Sequence, residues 1–555
     1  MAILAGQALN GFSRFLPGAL VEWAGRPAAG SFPPREAHVG ALMITDVSGF
    51  TRLTAKLSRE SGHVGAERIG LVLNGFISRL VGTVEQLGGA ILCFEGDSLM
   101  VGWKSVSESA GLASAVWRSC HCALFLQHEI GQTLVEDELL TLRSGIAAGS
   151  INLVHLLSHS GNSRVILTGP GVQEVGRCAA LAESGETLVS SDAWTYVAEH
   201  AKGRQMVSGS VQLLDIGMPP QLEGAASPTW SDGPDLASYL PTIVRSRLAS
   251  SPSRWLAELR TVTTCFIKIT GPELLDDVPK LEQAFDILET KIARFHGDVL
   301  RITAFEGGLQ GLVVFGLPGN AHKDDPRRAI LAAFELQADV TRLGLNISIG
   351  TATGDAFCGA IGTDRRAEYT VLGEAVNRAA RLSALAAGRT LADESTVQES
   401  SSFISFQGPW SMQVLGIRTP ISAFVALRPK RDSALPPRDV LIGRTEELAR
   451  LNALLDERRQ SKTQITIIVG EPGIGKSALA DAFIKYCGQM GVTVFDGFAD
   501  DVEHNTPYFA FRRVIRRLLD IELLQGREAY ERIEARLATR PEEIRFIPLL
   551  SRTLP

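Results

Sequence analysis

The sequence predicts an α+β protein made of two diverged copies of one domain, followed by part of an α/β phosphate-binding unit. Three observations carry this expectation. The order strand, helix, hairpin, small-residue strand occurs twice, with Gly89 matching Gly297 (an offset of 208) and Gly149 matching Gly354 (an offset of 205). A Gly-rich loop lies between an apolar run and a helical pattern near the end of the chain. Two proline-rich stretches, Pro219, Pro220, Pro228, Pro234 and Pro241 in one and Pro429, Pro436 and Pro437 in the other, cut the chain into three blocks. The divisions read from this are a segment at 1–35, a first copy at 36–218, a linker at 219–258, a second copy at 259–428 and a phosphate-binding block at 429–555.

Each element has a local reason. ALMITDVSGF (41–50) reads as a buried strand, and Ile69, Val72, Leu73, Phe76 and Leu80 recur at helical spacing. Gly88-Gly89 and the strand–turn–strand AILCFEGDSLMVGW (90–103) follow. The second copy repeats the order with TCFIKITG (264–271), a helix carrying Leu281, Phe285, Leu288, Ile292 and Phe295, and the hairpin VLRITAFEGGLQGLVVFG (299–316). GIAAG (145–149) then matches GTATG (350–354), and LTGPGVQEVGRCAALA (167–182) matches VLGEAVNRAARLSALA (371–386).

Composition narrows the function classes. The 555 residues suffice for several folding units, at roughly 150 per domain. Apolar residues make up 45% and charged residues 21%, which is ordinary globular usage. The 55 Lys and Arg against 61 Asp and Glu give a net charge of −6, so nothing here favours a nucleic-acid or anionic-membrane partner. No run is long enough for a transmembrane helix, and the start MAILAGQALNGFSRFLPGAL lacks the basic region of a signal peptide, so a soluble, cytoplasmic protein is expected. The seven cysteines are scattered without CxxC pairs, which argues against a disulfide framework or a zinc site.

The copies differ where chemistry would sit. Asp46 ends the first strand before the Ser48-Gly49 turn, and Asp97 lies in the Phe94-Glu95-Gly96-Asp97 turn. Two carboxylates at neighbouring strand ends suit Mg²⁺ or Mn²⁺ bridging to phosphates; alternatively, each merely caps a turn. The second copy has Lys268 opposite Asp46 and Glu306-Gly307-Gly308 in its hairpin, so no acid pair survives. It has instead Thr370, Asn377 and Arg381, the last two at i and i+4 on one helix face. They form either a solvated face or a set that orients a sugar and meets charge on a transferring phosphoryl group. Each copy holds half of a plausible site.

DVSGF, FEGD and YTVLGEAVNRAARL together resemble the class III nucleotidyl cyclases. Two such units before a P-loop block resemble the bicarbonate-responsive soluble adenylyl cyclases in particular. The resemblance implies two ferredoxin-like cyclase domains in a pseudo-symmetric pair within one chain, with one composite site that turns ATP into 3′,5′-cyclic AMP and pyrophosphate. It assigns two metal ions to Asp46, Asp97 and the Val47 carbonyl, and the triphosphate to the turn Val47, Ser48, Gly49 and Phe50, with Arg143 on the β/γ-phosphates. Asn377 would position the ribose, Arg381 would meet transition-state charge, and Arg301 with Thr370 would read the base. Arginine only donates hydrogen bonds, which favours adenine N1 over guanine N1–H. The family's regulation by small anions (bicarbonate) or calcium is less transferable, because Cys93 and Gly176 stand where it has cationic residues, with Arg177 one place later. Cys93 itself reads as a small buried residue.

GEPGIGKS (470–477), after TQITIIV and before ALADAFIKY, reads as a P-loop with Gly470, Gly473, Gly475, Lys476 and Ser477 around a nucleotide. LIGRTEEL (441–448) resembles the entry segment of AAA-related signal-transduction ATPases. VTVFDGFADD (492–501) reads as a second strand, and the absence of a Walker B strand before Pro555 suggests a part of a longer chain. Arg512, Arg513, Arg516 and Arg517 read as a solvated helix face. The expected function is thus an adenylyl cyclase. The alternatives are an inactive nucleotide-binding scaffold with a P-loop switch and, disfavoured by Arg301 and Thr370, a guanylyl cyclase.

Overall fold

The computed structural model describes residues 13–24, 32–96, 98–105, 110–217, 236–250, 258–305, 307–363, 365–412, 421–430, 444–457, 465–470, 476–495, 497, 509–519, 521 and 526–537. These fall into two compact units, 1–401 with 406–428, and 402–405 with 429–555. The larger unit contains two sheets. The first is built from β1 (Arg35–Ser48), β2 (Ala90–Glu95), β3 (Ser98–Lys104), β4 (Gln132–Val135), β5 (Glu138–Leu157), β6 (Ser163–Thr168), β7 (Thr187–Val189), β8 (Ala201–Gln205) and β9 (Val211–Ile216). The second is built from β10 (Glu258–Thr270), β11 (Asp298–Phe305), β12 (Gly308–Phe315), β13 (Asn346–Gly362), β14 (Ala367–Leu372), β15 (Thr390–Ala392), β16 (Ile404–Met412) and β17 (Ile421–Pro429).

The repeat seen in the sequence is a repeat of topology. The first sheet runs β2-β3-β1-β5-β7-β9-β8 and the second β11-β12-β10-β13-β15-β17-β16, with β6 and β14 attached to β5 and β13. Ala41, Leu42 and Met43 of β1 are all fully buried, a continuous apolar run rather than an alternating one. The reason is that both faces of the sheet are covered, one by helices and one by the other copy. The helices of the first copy include α1 (Phe50–Gln86), α2 (Ala110–Glu129), α3 (Pro170–Leu181) and α4 (Ser191–Thr195). After α5 (Thr242–Ser250), the second has α6 (Val278–Arg294), α7 (Asp325–Arg342), α8 (Glu374–Leu385) and α9 (Glu394–Ser400). In α6 the predicted stripe Leu281, Phe285, Leu288 and Ile292 is buried, and Asp277 caps the helix by accepting from the Lys280 N–H at 3.1 Å.

Close approach explains the matching glycines. A Cβ on Gly145 would stand 2.2 Å from the Ala179 nitrogen of α3, and one on Gly350 would stand 2.1 Å from the Ala379 oxygen of α8. In both copies a helix backbone rests directly on the central strand, and only glycine leaves room for it. This contact sets the height of α8 above β13.

The copies exchange side chains. Val154 and Leu156 of β5 and Ile166 of β6 sit in the second copy's core with Cys265, Leu281 and Phe285. In return, Phe357 and Ile361 of β13 sit in the first copy's core with Met43, Ile69 and Leu73. A third core lies between the sheets. It takes in Phe15, Leu16, Leu20 and Trp23 from the segment before β1, and Tyr239, Leu240, Ile243 and Val244 from the stretch read as a linker. Those stretches contribute core, where the sequence reading treated them as a leading segment and a spacer.

A buried polar network also crosses between the copies. Asn162 donates to Glu289 of α6 at 2.7 Å, and Arg164 lies 3.4 Å from the same carboxylate while donating to the Val299 carbonyl at 2.9 Å. Burial lowers the Arg164 pKa and the Glu289 charge opposes that. Near them the Asp298 carboxyl, which accepts from Asn320 at 3.3 Å, is pushed up to about 6, first by burial and then by the charges of Glu289 and Asp325. Burial likewise pushes the thiols of Cys120, Cys122, Cys178 and Cys265 up to about 12, so these four are packing residues.

The smaller unit contains α10 (Thr445–Glu457), α11 (Lys476–Gln489), α12 (Phe509–Leu518) and α13 (Gly526–Leu537). The helix expected after the Gly-rich loop is present. The strands expected before it and at 492–501 are not formed among the described residues: 465–470 and 492–495 join no ladder, and Ile465 and Val469 are 89% and 87% exposed. Apolar runs become strands only when a neighbour takes up their peptide groups.

Two stability predictions follow from the inter-copy network. Glu289→Ala leaves Arg164 buried without its counter-charge and should lower unfolding stability by about 3–5 kcal/mol in denaturant titrations. Asp298 binds its proton more tightly folded than unfolded, so its contribution is full at acid pH and is lost as pH rises through about 6. Asp298→Asn should therefore stabilise the protein at pH 7.5, on the order of 3 kcal/mol, and give little gain at pH 3.5, below the unfolded value.

Candidate active site

β1 runs antiparallel between β3 and β5, and the register sets Asp46 opposite Arg143 on one side and Ser98, the residue after Asp97, on the other. Asp97 itself lies outside the described residues. Arg143 donates to Asp46 Oδ2 from Nε at 2.7 Å and approaches it with Nη2 at 2.6 Å. Thus the expected metal ligand and the expected phosphate ligand are paired with each other. The Asp46 side chain is 19% exposed and Arg143 37%, so the pair is partly accessible to solvent. Val47 turns its side chain into the core, and Gly49 makes the turn into α1 with φ +103°, a left-handed conformation that suits glycine. Phe50 is the first residue of α1.

The same register in the second copy places Lys268 opposite Ser348 and Gln310. Lys268 therefore takes the position of Asp46, and Leu309, the residue before Gln310, takes that of Asp97. Burial lowers the Lys268 pKa, and its ammonium lies 5.3 Å from the centre of the Phe305 ring. Among the described residues, neither of these two positions carries an acid in this copy.

α8 presents the other set. Counting from Gly373 before α8 and Gly169 before α3, Asn377 matches Gln173 and Arg381 matches Arg177. The two arginines behave differently. Arg177 is tied down, reaching Glu174 at 2.5 Å and the Ser208 carbonyl at 3.2 Å. Arg381 is half-buried; burial lowers its pKa, and only Glu374 opposes this. Its neighbour Arg378 is committed to Asp393 at 2.9 Å and Glu374 at 3.0 Å, which identifies it as a structural arginine. Asn377 lies half-buried one turn before Arg381, and Thr370 is buried on β14.

Contacts between the copies bring β2 and its turn against β11 and β14. A Cβ on Gly96, beside Asp97, would lie 4.0 Å from Leu372, the last residue of β14 before α8. One residue of β2 is held at both of its peptide groups: the Phe94 N–H donates to Glu368 at 3.2 Å, and its carbonyl accepts from Arg301 at 3.3 Å. Arg301, expected to read a base, thus also positions the strand that leads to Asp97. Glu368 was missed in the sequence, where nothing distinguishes it from an exposed strand acid. Cys93 packs partly buried against the inter-copy core, as expected for a small apolar residue.

Among the described residues no cluster of three His, Cys, Asp or Glu side chains forms. The donors near the end of β1 are oxygens, the Asp46 carboxylate and backbone carbonyls, which fits a hard divalent cation. No helix among the described residues is long and apolar enough to cross a membrane. In the smaller unit Lys476 opens α11 and donates to the Gly470 carbonyl at 2.9 Å. Gly473 and Gly475 lie outside the described residues, as do the side chains of Ser477, Arg512 and Arg513; Arg517 is exposed and Arg516 donates to the Ile521 carbonyl.

Residues 440–554 match the AAA ATPase domain model. Adenylate cyclase type 10 of Homo sapiens is 27% identical over 396 residues, covering 64% of this chain and 24% of the relative. The Oryctolagus cuniculus protein of the same name is 26% identical over 513 residues, 81% of this chain and 31% of the relative. The chain therefore spans about a quarter to a third of the length of these relatives. Among solved structures, a class III adenylyl cyclase-like ATP-binding protein from Pseudomonas aeruginosa is 12% identical, with a TM-score of 0.49 over 72% of this chain and 92% of that one. The adenylyl cyclase CyaB from P. aeruginosa is 23% identical, with a TM-score of 0.28 over 32% of this chain and 98% of that one. By sequence, the chain is similar to adenylate cyclase type 10 over most of its length; it has two sheets of one topology, and residues 440–554 after them match the AAA ATPase domain model.

Proposed function

We propose that the larger unit is an adenylyl cyclase, forming 3′,5′-cyclic AMP and pyrophosphate from ATP at one composite site between its two copies. The observation that carries this is the division of labour at matched positions. Asp46 stands where the second copy has Lys268, and Arg381 is untied where its counterpart Arg177 is bound to Glu174 and Ser208. The other pairing of half-sites would combine Lys268, Leu309, Gln173 and a tied Arg177, which offers neither a carboxylate for a metal nor a ready guanidinium.

In this reading Asp46, the Val47 carbonyl and Asp97 would hold two divalent ions, Mg²⁺ or Mn²⁺, whose chemistry is to acidify the ribose 3′-hydroxyl and draw charge from the triphosphate. The peptide N–H groups of Ser48, Gly49 and Phe50, at the N-terminus of α1, would face phosphate oxygens. Arg143 would serve the β/γ-phosphates. Asn377 would orient the ribose for in-line attack on the α-phosphorus. Arg381 would meet the charge that builds on that phosphorus group, its half-buried setting strengthening the interaction. Arg301 and Thr370 would read adenine. The AAA domain would bind a second nucleotide through Lys476, as a regulatory or recruiting module in intracellular signalling.

The test is product analysis with ATP or GTP and Mg²⁺ or Mn²⁺. Wild type should form cyclic AMP and Asp46→Asn none, while Arg381→Ala should lower kcat about 10²- to 10³-fold with little change in KM. Absence of cyclic product from the wild type under every condition would overturn the proposal and leave a nucleotide-binding scaffold. Arg301→Glu replaces a donor with an acceptor and should lower the ATP-to-GTP ratio of kcat/KM at least tenfold, read from competition assays.

A further inference from the structure

The pairing of Asp46 with Arg143 is not needed by the fold. The second copy forms the same central ladder with Lys268 opposite Ser348, where no ion pair is possible. Nor is the pair a buried staple: the Arg143 side chain is 37% exposed and that of Asp46 19%. What distinguishes it is its geometry. Both guanidinium contacts, at 2.7 and 2.6 Å, fall on the single oxygen Oδ2 rather than being shared between the two carboxylate oxygens. An oxygen that already accepts a charge-assisted hydrogen bond from Nε and has a second guanidinium nitrogen at 2.6 Å is a poor ligand for a cation. The guanidinium and a divalent ion therefore compete for Oδ2. Arg143 cannot lose its charge to resolve that competition, because guanidinium stays protonated; it must move.

We propose that Arg143 is a positioning residue that neutralises Asp46 until a divalent ion arrives and is then released towards the triphosphate, so that metal and nucleotide binding are coupled by the exchange of one side chain. This rests on the cyclase reading above and adds to it an order of events. Without the exchange, Asp46 would present an uncompensated charge in a mostly buried strand end, close in sequence to Asp97. With it, a cation is always present at Oδ2, first the protein's own and then the metal, and the guanidinium is freed only when an anionic partner can take it. The Arg143 backbone is fixed in β5 while its side chain is 37% exposed, so the head group can move without disturbing the ladder.

The experiment measures Mn²⁺ binding to the full chain without nucleotide, by the electron paramagnetic resonance signal of free Mn²⁺. Arg143→Gln should bind Mn²⁺ about tenfold more tightly than wild type, the competition of a partly exposed ion pair having been removed. Arg143→Lys, which keeps the charge but not the two-pronged contact, should fall between them. In wild type, Mn²⁺ should strengthen binding of a non-cyclisable ATP analogue, and Arg143→Gln should lose most of that coupling. Equal or weaker Mn²⁺ binding by Arg143→Gln, with Asp46→Asn losing the ion, would overturn the exchange while leaving the metal reading intact. Mn²⁺ binding by Asp46→Asn equal to that of wild type would overturn both. Thermal unfolding of each variant separates these outcomes from loss of fold.

Discussion

The reciprocal burial of strand arms holds everything else in register. Val154, Leu156 and Ile166 stay paired in their own sheet while their side chains fill the second copy's core, and Phe357 and Ile361 do the reverse. At about 2 kcal/mol for each large apolar side chain, these five residues contribute on the order of 10 kcal/mol as an upper bound. That is comparable with the whole stability of an ordinary domain. Two copies tied in this way are one folding unit, and the cleft between them is a fixed feature. The Phe94 contacts with Glu368 and Arg301 show how fine the positioning is, since two side chains of one copy hold a single peptide strand of the other.

Duplication within one chain allows the two clefts to differ. In a symmetric pair of identical domains every substitution appears in both sites. Here Asp46 and Lys268 occupy matched strand ends with opposite charge, and Arg381 and Arg177 occupy matched helix positions with different partners. The Lys268 ammonium lies over Phe305 and Arg177 is spent on Glu174, so the second cleft has changed chemistry and kept only the topology.

Much of this was legible in the sequence, because the relevant signals are local. The repeat is carried by glycines such as Gly145 and Gly350, which the helix backbones require, and by apolar spacings within single elements. Asp46, Asn377 and Arg381 were found because the copies could be compared position by position. What escaped was long-range. Asn162 and Glu289 lie 127 residues apart and Phe94 and Glu368 lie 274 apart, and neither pair leaves a periodic trace. The segment before β1 was also opaque: Trp23 is 1% exposed in the inter-copy core, yet its neighbours have no element pattern strong enough to predict burial. The P-loop strands failed for the converse reason, since a local apolar run does not say what will pair with it.

The contrast between Arg143 and Arg177 shows how one residue type acquires different roles. Each is an arginine on the first copy with a carboxylate within 3 Å, yet the bonds differ in consequence. Glu174 lies one helical turn from Arg177 on the same α3 face, so their pairing is local and satisfies a surface guanidinium whose pKa it raises. Asp46 lies on a different strand from Arg143, two residues from the end of β1 and just before the turn into α1. Pairing within one helix turn satisfies a charge locally, as for Arg177 with Glu174, whereas pairing between neighbouring strands, as for Arg143 with Asp46, joins residues that are distant in sequence.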